Sequence, residues 1–587
     1  MLDERKPGFR PQLQFNADVE ALFVRVFGTD RFNTFCQALT CPSKYACVRV
    51  NTLKTTCQEV LIKLLDTINN AHSFLLSSDG RFCGGKLPLV NHGSDKAPIC
   101  FEHPLLRDTV IVQGDGPHHI DYIGCSGLLK EVVVSRKCAE AVLRGANVFV
   151  PGVLACSGHV EQGDIVAISV ALEHPNEKGE WVVGVTRGTV LLSEHGNIQL
   201  EKKDRMHCYI GKGRALLSRT GMFRESHGVA VEMVERVYNL PPLHGILEGD
   251  IFLQNLPSIL TARVLDPQQG EYVLDMCAAP GGKATALAIL MKDKGIIVAT
   301  DRSHNKVMDI KKLAKEMQIE CIRAYKVDAL KAVQPEMNSS ENGLCEKICI
   351  NRQFLDFESK QSVQPRGEII DLDLEKSSRN CVPEIGISGK TNAVQKYVVT
   401  DTLIKGTQYT SNAKARKEGR RMKNGPKVTH SYQGHDAMIC VKGFAPHTFD
   451  KVLLDPPCSA LGLRPRLFAG EETIEGLRQH ANYQRRLFDQ AVQLCRPGGY
   501  IVYSTCTINP GENEAVLRYA LDTYKYLSLV DQNPYLGEPG LTGTLDDGVS
   551  CKELLKEEEK HLVQRFNPSG PLDTIGFFIA KFQVKPN

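Results

Sequence analysis

Apolar positions in the second half of the chain cluster into five short runs, EYVLDMC, GIIVATD, CIRAYKVD, FDKVLLDPPC and GYIVYSTC. Each is rich in β-branched or aromatic residues, and helical stretches such as ATALAILMKDKG separate them. That alternation predicts successive strands of a doubly wound parallel sheet, an α/β, Rossmann-like domain beginning near residue 271. The five runs end on residues with usable chemistry: Cys277, Asp301, Asp328, Asp455 with Cys458, and Cys506. In an open parallel sheet the ligand crevice lies outside the carboxyl ends of the strands, so these ends describe one site.

Upstream the texture differs. Residues 1–110 mix amphipathic helical patterns with the strand-like CVRVNTLKTT, giving an N-terminal, largely helical α/β region. From 111 to 203, short β-rich pieces and frequent glycines predict a small inserted β-barrel. Residues 204–270 read as a connecting, RNA-contacting segment carrying the basic IGKGRALLSRTGMF. Within the sheet domain, 271–587, the pattern lapses between 338 and 443 into a polar, irregular stretch containing KARKEGRRMKNGPK. That stretch is expected to be a surface insertion without fixed structure.

The chain has 587 residues and a formal net charge of +3, so any nucleic-acid partner must be met by local basic patches rather than by the overall field. Its 20 cysteines show no C-x-x-C spacing, which speaks against a metal site. No apolar run is long enough to cross a membrane, and MLDERKPGF lacks the apolar core of a signal peptide. Reduced thiols and a cytoplasmic or nuclear location are therefore expected, with monomer the favoured state.

Cys277, Ala278, Ala279, Pro280, Gly281, Gly282 and Lys283 form a small-residue turn that opens a helix. Such a turn lets the backbone approach a ligand closely and aims free amides at it. A phosphate-binding P-loop needs glycine where Cys277 stands, and the dinucleotide fingerprint is absent. Asp301, at the next strand end, is placed to accept ribose hydroxyls, and Asp328 to meet an adenine amino group. The bland alternative for each aspartate is a helix cap or turn. A nucleoside with an amino-acid tail and no phosphates suits this crevice, and S-adenosylmethionine is the common molecule of that description.

Two cysteines at adjacent strand ends narrow the chemistry. Methylating carbon 5 of cytosine requires a thiolate to add at carbon 6, an acid near the ring nitrogen, and a base. DPPC and STC supply the thiols, with Asp455 beside Cys458. Amino-group methyltransferases carry an aromatic residue where Cys458 stands. Spacing alone leaves open which cysteine attacks. Arg464 and Arg466, just beyond, are candidates to hold the phosphate beside a flipped base, or else solvated surface residues.

DMCAAPGGKAT, VLLDPPCSALG, STCTINPGENE and RFNPSGPLDTIGFFIAKF, with CVRVNTLK as a weaker echo, resemble the Sun-domain family of RNA (cytosine-5) methyltransferases. The resemblance implies that Cys506 is the nucleophile and that Cys458 assists product release. It implies that Cys277 to Lys283, Asp301, Asp328 and Asp455 contact the cofactor, with Asp455 also facing the base. VVVSRKCAEAVLRGANVFVPGV and EQGDIVAISV resemble a PUA domain, an RNA-binding barrel. Together they imply the branch acting on tRNA near the 3′ end of the acceptor stem, with the barrel gripping the CCA tail. A scaffold of the same fold that has lost catalysis is the alternative; retention of both cysteines, the glycine loop and the aspartates argues against it.

Overall fold

The runs that alternate with helices in the sequence do line up as one sheet in the computed structural model. The structure describes residues 7–76, 100–124, 127–176, 179–191, 208–240, 243, 245–334, 348–350, 352 and 441–586, without the side chains of 68–76 and 348–350. All of these lie in one unit, residues 1–357 with 439–587; the second unit, 358–438, lies outside the described residues.

Strands β1 (Tyr272–Asp275), β2 (Ile296–Asp301), β3 (Ile322–Lys326), β4 (Phe449–Leu454) and β5 (Cys495–Thr505) are followed by β6 (Leu527–Leu529), β7 (Val563–Phe566) and β8 (Phe577–Val584). Their order is β3-β2-β1-β4-β5-β8-β6, with β7 pairing β8. β1 to β5 are mutually parallel, and β8 runs antiparallel to β5. The order reverses between β1 and β4, which places the crevice at their carboxyl ends. Every residue of β2 and β4 is buried, as strands covered on both faces require.

Register and pleat split each strand between two cores. Leu274, Val298, Val452 and Ile501 point to one face, where Leu487, Phe488 and Ala491 of α4 (Ile474–Leu494) cover them. Val273, Ile297, Leu453 and Val502 point to the other, under α1 (Leu256–Leu265) and α2 (Gly282–Leu290). Helices α3 (His304–Glu316) and α5 (Glu514–Thr523) complete the layers. Helical cover on both faces is what makes this sheet stable and its strand ends a rigid platform.

The upstream boundaries differ from the sequence expectation. Strand Thr109–Gln113, expected in the barrel, instead pairs with Tyr45–Val50 in a four-stranded sheet that also takes Ile251–Leu253 and Cys100–Glu102. The barrel-forming strands run from Lys130 to Arg236 in one seven-stranded sheet. Tyr209–Ala215 and Val229–Arg236, read as connecting segment, lie inside that sheet. Local β-propensity could not reveal this, because the chain leaves the N-terminal sheet after Gln113 and rejoins it at Ile251. The barrel is thus an insertion within the N-terminal region.

Most of the 338–443 stretch, including the basic cluster at 414–427, lies outside the described residues. Its described ends are ordered: Ile348–Ile350 pairs parallel with Val441–Phe444, and Arg352 donates to Asp450 Oδ1 at 2.6 Å.

Candidate active site

The glycine loop is built by β1 and closed onto β2. Ala278 donates from its backbone to Thr300 O at 2.9 Å, and Gly281 donates to Ala278 O at 2.7 Å. Gly281 adopts φ +109°, the left-handed region that favours glycine. A Cβ on Gly282 would come within 2.7 Å of the Phe252 ring, so the loop can sit against the N-terminal region only with glycine there. No side chain caps the start of α2.

Arg49, in the CVRVNTLK segment, fixes this loop from outside. Its buried guanidinium donates to Gln254 Oε1 (2.9 Å), Gly282 O (3.2 Å) and Thr285 Oγ1 (2.8 Å). Burial lowers its pKa to about 10, against the opposing pull of Asp108. Motif reading passed over this residue, although its string was already an echo of the family.

Three carboxylates line the crevice floor. Asp301, 8% exposed, lies 3.5 Å from Lys306 Nζ. Asp455 Oδ2 pairs with Lys283 Nζ at 2.6 Å, and Asp455 Oδ1 accepts from Ser504 Oγ at 2.8 Å. Burial by itself would lower the Lys283 pKa, but the Asp455 carboxylate outweighs it and the pKa is raised. Asp275, unnoticed in the sequence reading, is 1% exposed, and neither of its oxygens has a hydrogen-bond partner among the described residues. Burial raises its pKa to about 7; Lys283 opposes the shift, while Asp455 and Asp301 add to it. The same burial, with Asp275, Asp455 and Asp301 nearby, pushes the Cys277 thiol up, so it stays neutral. Cys277 therefore lines the site without reacting.

Asp328 stands just past the third strand but is exposed, and its Oδ1 accepts from Leu330 N at 3.2 Å, capping the turn Ala329–Lys331. Burial and then the Asp328 carboxylate raise the pKa of Tyr483 of α4, which the sequence did not single out, and Arg302 opposes them, so Tyr483 stands on the same side of the crevice.

The two cysteines meet. Cys458 Sγ and Cys506 Sγ are 3.4 Å apart, and both are partly buried. The hydrogen bond with Cys506, then burial, then the charges of Cys506 and Glu512 hold the Cys458 pKa well above the ordinary thiol value. Gly462 donates to Cys506 O at 3.0 Å, and Gly576 donates to Gly462 O at 2.8 Å. A Cβ on Gly462 would fall 2.0 Å from Gly576 O, so this approach admits no side chain. The Lys283 ammonium lies 5.7 Å from the centroid of the Phe577 ring, which closes the site from β8.

Arg464 corrects one expectation. Its side chain is only 4% exposed. It donates to Cys41 O (3.0 Å), Pro568 O (2.8 Å), Asp573 Oδ1 (2.7 Å) and Thr574 O (3.1 Å). A guanidinium spent in this way neither holds a phosphate nor is solvated. Arg466 is half-buried and donates to Ala460 O at 2.9 Å.

The sheet order and the attached seven-stranded sheet define a Rossmann-like methyltransferase joined to a PUA domain. The family profile "16S rRNA methyltransferase RsmB/F" matches residues 262–351 and 420–583, and the PUA profile matches 130–237. The rRNA (cytosine-C(5))-methyltransferase NOP2C of Arabidopsis thaliana is 48% identical over 100% of this chain and 93% of its own length. The tRNA (cytosine(72)-C(5))-methyltransferase NSUN6 of Homo sapiens is 29% identical over 94% of this chain and 91% of its own. A crystal structure of NSun6 from Pyrococcus horikoshii with SFG shares the fold, with TM-score 0.59 and 23% identity over 98% of this chain and 99% of that one. The chain belongs to the RNA (cytosine-C5) methyltransferase family.

S-adenosylmethionine is the cofactor of this fold and family. The residues present fit it: the buried Asp301 carboxylate offers charge, and the unpartnered oxygens of Asp275 offer acceptors, to a molecule whose sulfonium and amino groups are cationic. Among the described residues no group of histidine, cysteine and acidic side chains could hold a metal ion, and no helix is long and apolar enough to cross a membrane.

Proposed function

We propose that the protein methylates carbon 5 of a cytosine in tRNA, near the 3′ end of the acceptor stem, through a covalent adduct on Cys506. The observation that carries the chemistry is the 3.4 Å cysteine pair standing beside the Lys283–Asp455 pair. Two thiols and a lysine–carboxylate pair on adjacent strand ends are what addition to, and elimination from, a pyrimidine ring requires.

When bound, S-adenosylmethionine supplies an electrophilic methyl group. Asp301 and the Cys277 to Gly282 turn would hold it, with Asp328 at the outer edge. The target base enters flipped out of its stack, since a stacked base offers no path to carbon 6. The Cys506 thiolate adds to carbon 6, forming a carbon–sulfur bond, while the Lys283–Asp455 pair delivers a proton toward the ring nitrogen. Carbon 5, now enamine-like, becomes the nucleophile that the methyl group would alkylate, the sulfur–methyl bond breaking as the cofactor departs as a thioether. Loss of the carbon 5 proton to solvent and return of the ring-nitrogen proton to the Lys283–Asp455 pair re-form the double bond as the carbon–sulfur bond breaks. Cys458, held as a thiol, donates to the departing Cys506 sulfur.

The tRNA assignment is supported by the inserted PUA domain and by full-length similarity to relatives whose names specify tRNA cytosine 72. A ribosomal RNA substrate is the second reading, favoured by the name of the Arabidopsis relative. Labelled methyl transfer to purified tRNA and to rRNA in parallel separates them: label in 5-methylcytidine of tRNA is expected. Label confined to rRNA would overturn the tRNA assignment and leave the chemistry intact.

A further inference from the structure

Glu512 is a carboxylate with 0% exposure in the loop after β5. Its Oε2 accepts from Ser459 N (3.0 Å) and Gln484 Nε2 (2.8 Å); its Oε1 accepts from Ser459 Oγ (2.6 Å) and Asn509 Nδ2 (3.1 Å). All four donors are neutral. A fully buried carboxylate held without a cation is costly, and proteins place one only where its hydrogen bonds are fully made. The placement here is specific. Ser459 follows Cys458, and its hydroxyl also meets Thr507 Oγ1 at 2.8 Å, next to Cys506. Gln484 reaches from α4 to Pro457 O at 3.1 Å as well as to Glu512. Tyr503 donates to Glu512 O at 2.6 Å. Glu512 is thus the hub at which both cysteine loops and α4 join.

We propose that Glu512 is a positioning residue for the reaction, clamping the Cys458 loop onto the Cys506 loop and giving the two sulfurs unequal roles. The inference rests on the assignment of Cys506 as nucleophile. Charge is distributed unequally around the pair. Cys458 feels the Cys506 sulfur and the buried Glu512 charge, with Tyr503 nearby. Asp455, three residues before Cys458, is already paired with Lys283, and it is this ammonium that feels the charge of Cys506. The Glu512 carboxylate, bonded at Ser459 next to Cys458, opposes ionisation of the Cys458 thiol, while the Lys283 ammonium is held by Asp455.

The first readout of the test needs neither RNA nor cofactor. Wild type, Glu512→Gln and Glu512→Asp are alkylated with iodoacetamide across a range of pH, and the modified cysteines are mapped by peptide mass spectrometry. In wild type, Cys506 should react first and Cys458 should lag. Glu512→Gln keeps the volume but removes the charge and sets an amide against donors. Its Cys458 midpoint should fall by about one pH unit, and kcat should drop about 100-fold, as a misplaced catalytic group does, with S-adenosylmethionine affinity unchanged. Glu512→Asp keeps the charge but is too short to span both loops, so it should restore the lag of Cys458 and only part of kcat. An unchanged alkylation pattern in Glu512→Gln overturns the proposal, whether turnover persists or is lost together with thermal stability and cofactor affinity. A wild type that shows the lag but methylates no RNA would instead count against the function, leaving the role of Glu512 intact.

Discussion

In the proposed reaction Cys506 and Cys458, chemically alike, do opposite things, one forming the bond to carbon 6 and the other helping to break it. Cys506→Ala should abolish methyl transfer while S-adenosylmethionine affinity, measured by calorimetry, stays within about twofold, because the affected contact is made only with the base. Cys458→Ala should instead accumulate an enzyme–RNA adduct, seen as a retarded band in a denaturing gel; a clean gel with turnover intact would remove Cys458 from the release step. Asp275 supports a different prediction. In the folded protein it holds its proton up to about 7, whereas an unfolded aspartate releases its proton near pH ~4. The folded state therefore binds more protons between those values, and raising the pH across that window drains stability, with the full penalty present above it. Asp275→Asn should stabilise the cofactor-free protein by about 2–4 kcal/mol at neutral-to-alkaline pH and by almost nothing in acid, in urea unfolding run at both. Equal effects at both pH values would contradict the buried charge. At this scale the residues proposed to react could be singled out in the sequence because they end apolar runs and are of chemically marked types. Glu512, Asp275 and Arg49 were not. Nothing in a sequence tells a buried acid or arginine from the exposed majority, and their importance comes from partners far along the chain.

The elements matter here for how they join the two cysteine loops to the rest of the fold. The segment after Cys458 is pinned at Gly462 to Cys506 and Gly576, and at Arg464 to Cys41, Pro568 and Asp573. Beyond it, Phe468 packs edge-on against Trp181 of the PUA domain at 4.8 Å between ring centroids, and Arg136 of that domain pairs with Glu471 at 3.1 Å. The catalytic loop is thus tied by one strap to the RNA-binding insertion. Removing Arg464 would strand Asp573 and several buried carbonyls, so Arg464→Ala should cost about 3 kcal/mol of stability. The slope of RNA affinity with salt should stay unchanged, because no phosphate contact is lost. A shallower salt slope with unchanged stability would restore the phosphate role that the sequence suggested. That suggestion failed for a physical reason: an arginine beside a catalytic motif looks the same in sequence whether it faces solvent or five carbonyl and carboxylate oxygens.

Across the whole molecule, the doubly wound sheet was readable because parallel strands covered on both faces appear as continuous apolar runs. The domain borders upstream were not, since an insertion that leaves a sheet and returns to it leaves no mark in local propensity. Its consequence is that strands Thr109–Gln113 and Ile251–Leu253 flank the PUA domain, and Phe252, just after the return, packs on the glycine loop. The PUA domain is therefore connected to the cofactor turn by one short path through the N-terminal sheet as well as by the strap. The most direct test of the central claim is transfer of radiolabelled methyl from S-adenosylmethionine to total tRNA, with wild type and Cys506→Ala side by side, followed by nucleoside analysis. Label in 5-methylcytidine with wild type alone is the expected result. Label in 5-methylcytidine with both proteins, or in another nucleoside, would contradict a cytosine-5 reaction through Cys506.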